Sequence, residues 1–380
     1  MAERAVFFAT CAKGLEPFLH QELSALRMAK IERQVGGVRF EGTRADAWRA
    51  NLWLRTANRV LLRLSAFEAG DESALYAGVA TIDWSYWIAA DGSLIVDARV
   101  QESKLTHSRF VEQRVKDAIV DQLRARSGAR PSVDREQPDL RVHLHLWRDR
   151  AVLSIDTSGP ALYLRGWRVH QGRAPLSETL AAGMVLASGW DARAPLLDPF
   201  AGSGTILVEA GLLAGERAPG LFREGFAFER LPDHDAGAWT KLREEARARA
   251  RSPRKLRLLG RDHDPERVRE AHENAVAAGV ADMVEVEGGD ALDLDARRGW
   301  NAWIVSNPPY GERLGEEREL RKLYQGIAML LRERCAGYHY AILSGNPELS
   351  RALADLAPRR IPLKNGSLEC ELLLGVVGSS

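Results

Sequence analysis

Two short stretches combine residue types that packing alone does not call for. Asp198-Pro199-Phe200-Ala201-Gly202-Ser203-Gly204-Thr205 follows the apolar pair Leu196-Leu197 and runs directly into Ile206-Leu207-Val208-Glu209-Ala210. A short strand here turns through two glycines into a helix whose apolar spacing fits a period near 3.6. Gly202 and Gly204 lack a Cβ, so the backbone can approach a ligand closely, and the free N–H groups of the helix start attract polar or anionic atoms. About a hundred residues further on, the apolar strand Asn301 to Ser306 ends in the rigid polar loop Asn307-Pro308-Pro309-Tyr310-Gly311. Either stretch alone is also what an ordinary tight corner looks like. Two such strand ends in one domain describe a crevice outside the carboxyl ends of an open parallel sheet, where ligands bind.

Further residues fit a nucleoside-bearing ligand in that crevice. Leu258-Leu259-Gly260-Arg261-Asp262-His263-Asp264-Pro265 reads as the next strand and its exit. A carboxylate at this place can accept both ribose hydroxyls, a role for Asp262 with His263 beside it, while Asp264 before Pro265 suits a helix N-cap. Met283 to Glu287 is a third strand leading to Gly289-Asp290-Ala291, where Asp290 either meets an adenine amino group or makes a local turn. Ser177, in the stretch Ala174 to Met184, stands where it can cap a helix.

The Asp-Pro-Phe-x-Gly-Ser-Gly-Thr turn paired with Asn-Pro-Pro-Tyr resembles the S-adenosylmethionine-dependent methyltransferases that modify planar amino groups. The resemblance implies an α/β Rossmann-like class I methyltransferase domain with S-adenosylmethionine held by Glu178, Thr179, Asp198 to Thr205, Asp262, His263, Asp290, Ala291 and Asn307. It also implies catalysis by Asn307, Pro308, Pro309 and Tyr310. The Asn307 side-chain oxygen and the Pro308 carbonyl would accept from the reacting amine, the prolines would fix them beforehand, and Tyr310 would stack on an extruded base.

The elements that must position these residues begin with an α+β half. Val6 to Thr10 is strand-like, Leu19, Leu23 and Leu26 mark a helix, and Val35 to Glu41 reads as a hairpin turning at Gly36-Gly37. Thr43 to Phe67 reads as one Arg-rich helix, Leu94 to Val100 as a strand, and Val111 to Leu123 as an amphipathic helix. Arg141 to Asp156 is the clearest strand pair, with His143 and His145 on one side of it, and surface histidines fit that spacing better than metal ligands. The stretches Phe8 to Leu15, Gly36 to Phe40 and Arg114 to Asp121 resemble a ferredoxin-like unit followed by a THUMP module. With the two loops behind them, the whole chain is similar to the bacterial THUMP-containing 23S ribosomal RNA guanine-N2 methyltransferases.

That resemblance implies a ferredoxin-like unit over 1–60, an RNA-binding THUMP domain over 61–165 and a methyltransferase domain over 166–380. Some family members carry a second fused methyltransferase, so only the first activity is implied here. Ribosomal RNA is the favoured partner and transfer RNA of the same enzyme layout is the alternative. Methylation of DNA adenine or protein glutamine, or a noncatalytic ribosome-assembly role, are the competing readings. About forty residues between the glycine turn and the Leu256 strand are an insertion ending in the Arg-rich helix Lys241 to Arg251, either a lid, an RNA-facing element or a solvated charged helix.

Composition sets the remaining bounds. The chain has 380 residues, 45% hydrophobic and 28% charged, and no apolar run near the roughly 20 residues a bilayer span needs, so a cytoplasmic protein with no membrane partner is expected. Cys11, Cys335 and Cys370 stand singly, which provides no zinc framework. Net charge is only +1, yet residues 1–170 hold 25 Lys and Arg against 21 Asp and Glu, leaving 28 against 31 for the rest. The mild asymmetry favours the N-terminal half as the side facing a polyanion.

Overall fold

A computed structural model describes residues 3–169, 176–253, 255–297, 299–310 and 317–378. Ala174, Pro175 and Gly311, which belong to stretches discussed above, lie outside the described residues. The N-terminal half contributes β1 (Ala5–Cys11), β2 (Ala29–Gln34), β3 (Gly37–Gly42), β4 (Ala57–Glu68), β5 (Ser93–Gln101), β6 (Ser132–Val133), β7 (Leu140–Trp147) and β8 (Arg150–Asp156). They form one sheet in the order β2-β3-β1-β4-β8-β7-β5-β6.

The expected helix from Thr43 to Phe67 is two elements. Arg44–Trp53 is helical behind a Thr43 capping box, and β4 then runs for twelve residues. Leu54 turns the chain by taking extended backbone at the helix end. Arg59 and Arg63 therefore belong to a strand, where Arg63 pairs in register with Ser154 of β8. β4 is paired to β1 over its first half and to β8 over its second, so one strand joins the ferredoxin-like and THUMP parts and passes through position 60 without a break. The hairpin between β2 and β3 turns at Val35-Gly36, one residue earlier than expected, with Gly36 in the left-handed region at φ 78°.

In the β7–β8 pair, Val142, Leu144 and Leu146 face the core while His143 and His145 face outward. His143 lies 3.9 Å from both Asp97 and Asp156. Among the described residues no group of three or more His, Cys, Asp or Glu could hold a metal ion, and no helix is long and apolar enough to cross a membrane.

The C-terminal half contributes β9 (Leu196–Asp198), β10 (Leu258–Asp262), β11 (Val284–Gly288), β12 (Trp303–Ser306), β13 (His339–Ser344), β14 (Arg359–Asn365) and β15 (Leu368–Val376). Their order is β11-β10-β9-β12-β13-β15-β14, parallel from β11 to β13, with β15 antiparallel to β13 and β14. Strand order reverses between β9 and β12, the switch point where such sheets leave a crevice. Gly260 of β10 allows the helix Thr205–Ala214 to lie close: an added Cβ would be 2.6 Å from Leu207 Cδ1 and 2.9 Å from Ala201 Cβ.

The insertion packs against the N-terminal half, and its helix Ala236–Arg249 keeps most of its charged residues exposed. It is a brace between the halves. Its aromatic residues Phe226, Phe228 and Trp239 are buried, and Phe228 stacks on Trp48 of the N-terminal helix with ring centroids 5.7 Å apart. Arg249, on the helix Ala236–Arg249, sits 4.7 Å over the Trp53 ring, and Arg44 pairs with Asp233. Arg223 is buried and donates to the carbonyls of Ser158, Pro160, Ala161 and Leu164 in the segment joining the two halves. The charged pattern of the sequence describes only the outer face of this insertion.

Candidate active site

The glycine turn is held from three sides. The buried Asp198 side chain accepts from Phe200 N at 3.2 Å and from Ser306 Oγ at 2.5 Å, which ties the end of β9 to the residue before Asn307. Burial pushes the Asp198 carboxyl up to about 7, its two hydrogen bonds oppose that, and the charge of Asp262 adds to it. Asp262 accepts from Gly202 N at 2.9 Å with one oxygen and from Asp264 N at 3.0 Å with the other. A carboxylate has about four acceptor positions, so both oxygens keep capacity for a ligand hydroxyl.

The two glycines serve different ends. Gly202, at φ 53°, has nothing within 4 Å of where a Cβ would be, so the turn shows bare backbone to open space. Gly204, at φ 79°, is the N-cap of Thr205–Ala214, and a Cβ there would be 3.0 Å from the Ala271 Cβ. Pro199, Ala201 and Ser203 are buried, and Ser203 is fixed through its carbonyl by Asn274 Nδ2 at 3.0 Å. Asn274, fully buried, also accepts from Val169 N with its other end.

The helix Glu178–Ala187 starts beside this turn. Ser177 stands at its N-cap position without a side-chain capping bond. Glu178 is buried and ion-paired to Arg168 at 2.8 Å; burial raises its carboxyl pKa and the guanidinium opposes this. Arg168 also donates to Thr205 Oγ1 at 3.0 Å, so one guanidinium joins two expected ligand contacts. The Thr179 hydroxyl donates to Asn58 Oδ1 at 2.9 Å, towards the N-terminal half.

His263 is largely exposed, and Asp264 caps Pro265–Ala277 through Glu266 N. Asp290 is exposed and accepts from Leu292 N at 2.9 Å, so its carboxylate makes the turn while facing solvent. Ala291, Phe200 and Pro308 line one small apolar cavity behind the two loops.

At the end of β12 the chain turns outward. Pro308 is buried, Pro309 exposed and Tyr310 half-buried. Asn307 Oδ1 is buried and has no hydrogen-bond partner among the described residues. A buried acceptor without a donor costs about 1–3 kcal/mol, so its partner is to be sought in a ligand. The parallel register of β9 with β12 brings Asn307 to the same edge of the sheet as Asp198.

Ser306, Arg168 and Asn274 were not singled out by sequence reasoning. Only Ser306 had a local signal, its place immediately before the loop.

Family models match the chain in consecutive blocks: an RlmL ferredoxin-like domain over residues 6–61, a THUMP domain over 69–156 and an RMKL-like methyltransferase domain over 165–373. The chain belongs to the RMKL-like methyltransferase family. A curated relative from Syntrophotalea carbinolica, named ribosomal RNA large subunit methyltransferase K/L, is 43% identical over 97% of this chain and 53% of its own length. The chain spans about half the length of the curated relatives it matches. Among solved structures, SMU.472 complexed with SAH is 30% identical, with a TM-score of 0.88 over 100% of both chains. A protein from Listeria monocytogenes str. 4b F2365, solved as a predicted N6-adenine-specific DNA methylase, is also 30% identical, with a TM-score of 0.88 over 99% of this chain and 97% of its own. The RMKL-like domain is thus a class I methyltransferase fold with S-adenosylmethionine as its cofactor, carried behind a THUMP module.

Proposed function

We propose that this chain methylates the exocyclic N2 of a guanosine in RNA, with large-subunit ribosomal RNA as the favoured substrate. The observation that carries the reading is the buried, unpartnered Asn307 Oδ1 at the switch point of the sheet. Guanine N2 is a weak nucleophile because its lone pair is delocalised into the ring. Accepting one N–H at Asn307 Oδ1 and the other at the Pro308 carbonyl localises that pair on nitrogen. Pro308 is already packed, so these acceptors are in place before the base arrives. The Tyr310 ring then supports a base taken out of its stack.

The cofactor suits the residues around the turn. Bare backbone at Gly202, spare acceptor positions on Asp262 and the exposed Asp290 would meet its nucleoside, and the Glu178–Arg168 pair stands where Thr179 and Thr205 begin their helices. When bound, S-adenosylmethionine supplies an electrophilic methyl group. The chain's own work is orientation and exclusion of water, and no strong general base is required.

Ribosomal RNA is favoured by the name of the curated relatives and by the THUMP match. The Listeria relative's description favours an adenine amino group as the second reading, because the same acceptors suit it. Single-turnover methylation of ribosomal RNA, transfer RNA and DNA, followed by nucleoside mass spectrometry, decides between them. N2-methylguanosine is expected; N6-methyladenine in DNA, with no RNA product, would replace the reading. Asn307→Ala should slow transfer on the order of a hundredfold while leaving cofactor affinity near wild type.

A further inference from the structure

Tyr310 is held at two points, and neither holder lies in its own strand. Its ring rests on Gly345, just beyond β13, where an added Cβ would fall 2.4 Å from the ring. Its hydroxyl oxygen accepts a hydrogen bond from Asn365 Nδ2 at 3.0 Å, and Cys370 Sγ lies 4.0 Å from the same oxygen. Asn365 is the last residue of β14 and pairs with Leu368 across a Gly366-Ser367 turn, with Gly366 at φ 61°. The antiparallel hairpin at the sheet edge thus reaches back to the catalytic loop.

A tyrosine ring has two rotatable side-chain bonds. Gly345 stops it on one face, but contact on one face still allows the ring to slide and tilt. A bond at the far end of the ring removes that freedom, because the hydroxyl is the atom furthest from the backbone. Burial raises the hydroxyl's pKa well above its ordinary value, so the group stays neutral and keeps its proton. We propose that Asn365 is a positioning residue for methyl transfer: by holding the Tyr310 hydroxyl, the β14–β15 tip sets the stacking face relative to Asn307 before the base enters. This rests on the reading of Tyr310 as the support for an extruded base.

The hairpin is itself anchored. A Cβ at Gly14, in the loop after β1, would fall 2.1 Å from the Pro362 carbonyl oxygen and 2.7 Å from Leu363 Cδ2. The N-terminal unit therefore abuts β14 three residues before Asn365, so the tether hangs from a strand clamped on both sides.

The test uses the full chain at saturating cofactor, with single-turnover methylation of RNA, calorimetric cofactor affinity and thermal melting measured for each variant. Asn365→Ala should slow transfer roughly three- to tenfold, the rate equivalent of one neutral hydrogen bond, with affinity and melting temperature little changed. Tyr310→Phe should show the same loss, and the double variant no further loss. Asn365→Asp should restore the rate, because a carboxylate accepts from the tyrosine hydroxyl. A wild-type rate in Asn365→Ala, additive losses in the double variant, or a matching fall in cofactor affinity would overturn the proposal. Asn307→Ala run beside them separates the two claims. Its collapse with an unaffected Asn365→Ala removes the tether alone, whereas a wild-type rate in Asn307→Ala overturns both.

Discussion

Asp198 holds the turn through Phe200 N and β12 through Ser306, and it does so from a site where a carboxylate is poorly solvated. Its pKa of about 7 lies above the roughly 3.9 of an unfolded chain, so the native state binds the extra proton. Its contribution to stability is therefore full below about pH 4 and is lost as pH rises through about 7. Asp198→Asn keeps an acceptor for Ser306 and should flatten that profile between pH 5 and 8, as read from urea midpoints. An unchanged slope in the variant would assign the effect to other groups. Asp262→Ala should weaken S-adenosylmethionine binding by about 1–3 kcal/mol, and calorimetry showing wild-type affinity would place the ribose elsewhere. At this scale, Asp198 and Asn307 were legible as candidates because each stands at a strand end directly before a proline, and Asp262 because it closes β10. Ser306 to Asp198 and Asn365 to Tyr310 are bonds between residues 108 and 55 positions apart, and nothing local announces them.

The elements that join the halves meet around a buried cluster of guanidinium groups. Arg165 is 2% exposed and donates to Glu209 Oε1 at 3.3 Å, to Leu162 O and to Arg55 O, while Arg55 donates to Leu212 O and Arg217 O. Arg165→Ala would leave Glu209 buried without its ion partner and should destabilise the chain by about 3–5 kcal/mol. Replacing both by apolar residues, Arg165→Met with Glu209→Leu, should recover most of that loss in a denaturant titration. An equal loss in both variants would show that the carbonyl contacts, not the charges, carry the junction. The packing of the insertion was not legible because its Lys and Arg residues dominate the pattern, while the buried Phe226 and Phe228 fall outside its helix. β4 was misread because Val60-Leu61-Leu62-Arg63-Leu64 suits a helix face as well as a strand, and only pairing on both edges decides the matter.

Across the whole molecule, the N-terminal sheet and one face of the catalytic sheet share a single buried core. RNA affinity of the full chain should fall linearly in logarithm with the logarithm of salt concentration, as phosphate contacts release counterions. A salt-independent affinity in filter binding would argue against the basic balance of the N-terminal half as the contact. The three-part order was legible from the motif stretches, and the chain passes from the first part to the second inside a strand. β4 is paired to β1 from Ala57 to Leu62 and to β8 from Leu61 to Glu68, so the two ladders overlap at Leu61 and Leu62 and one continuous strand ties the two parts together. On the proposed function, with the brace fixing the other seam, the span from the THUMP domain to Asn307 would work as a gauge. Two guanosines in identical local sequence would then differ as substrates solely by how far each lies from the place where the RNA is gripped.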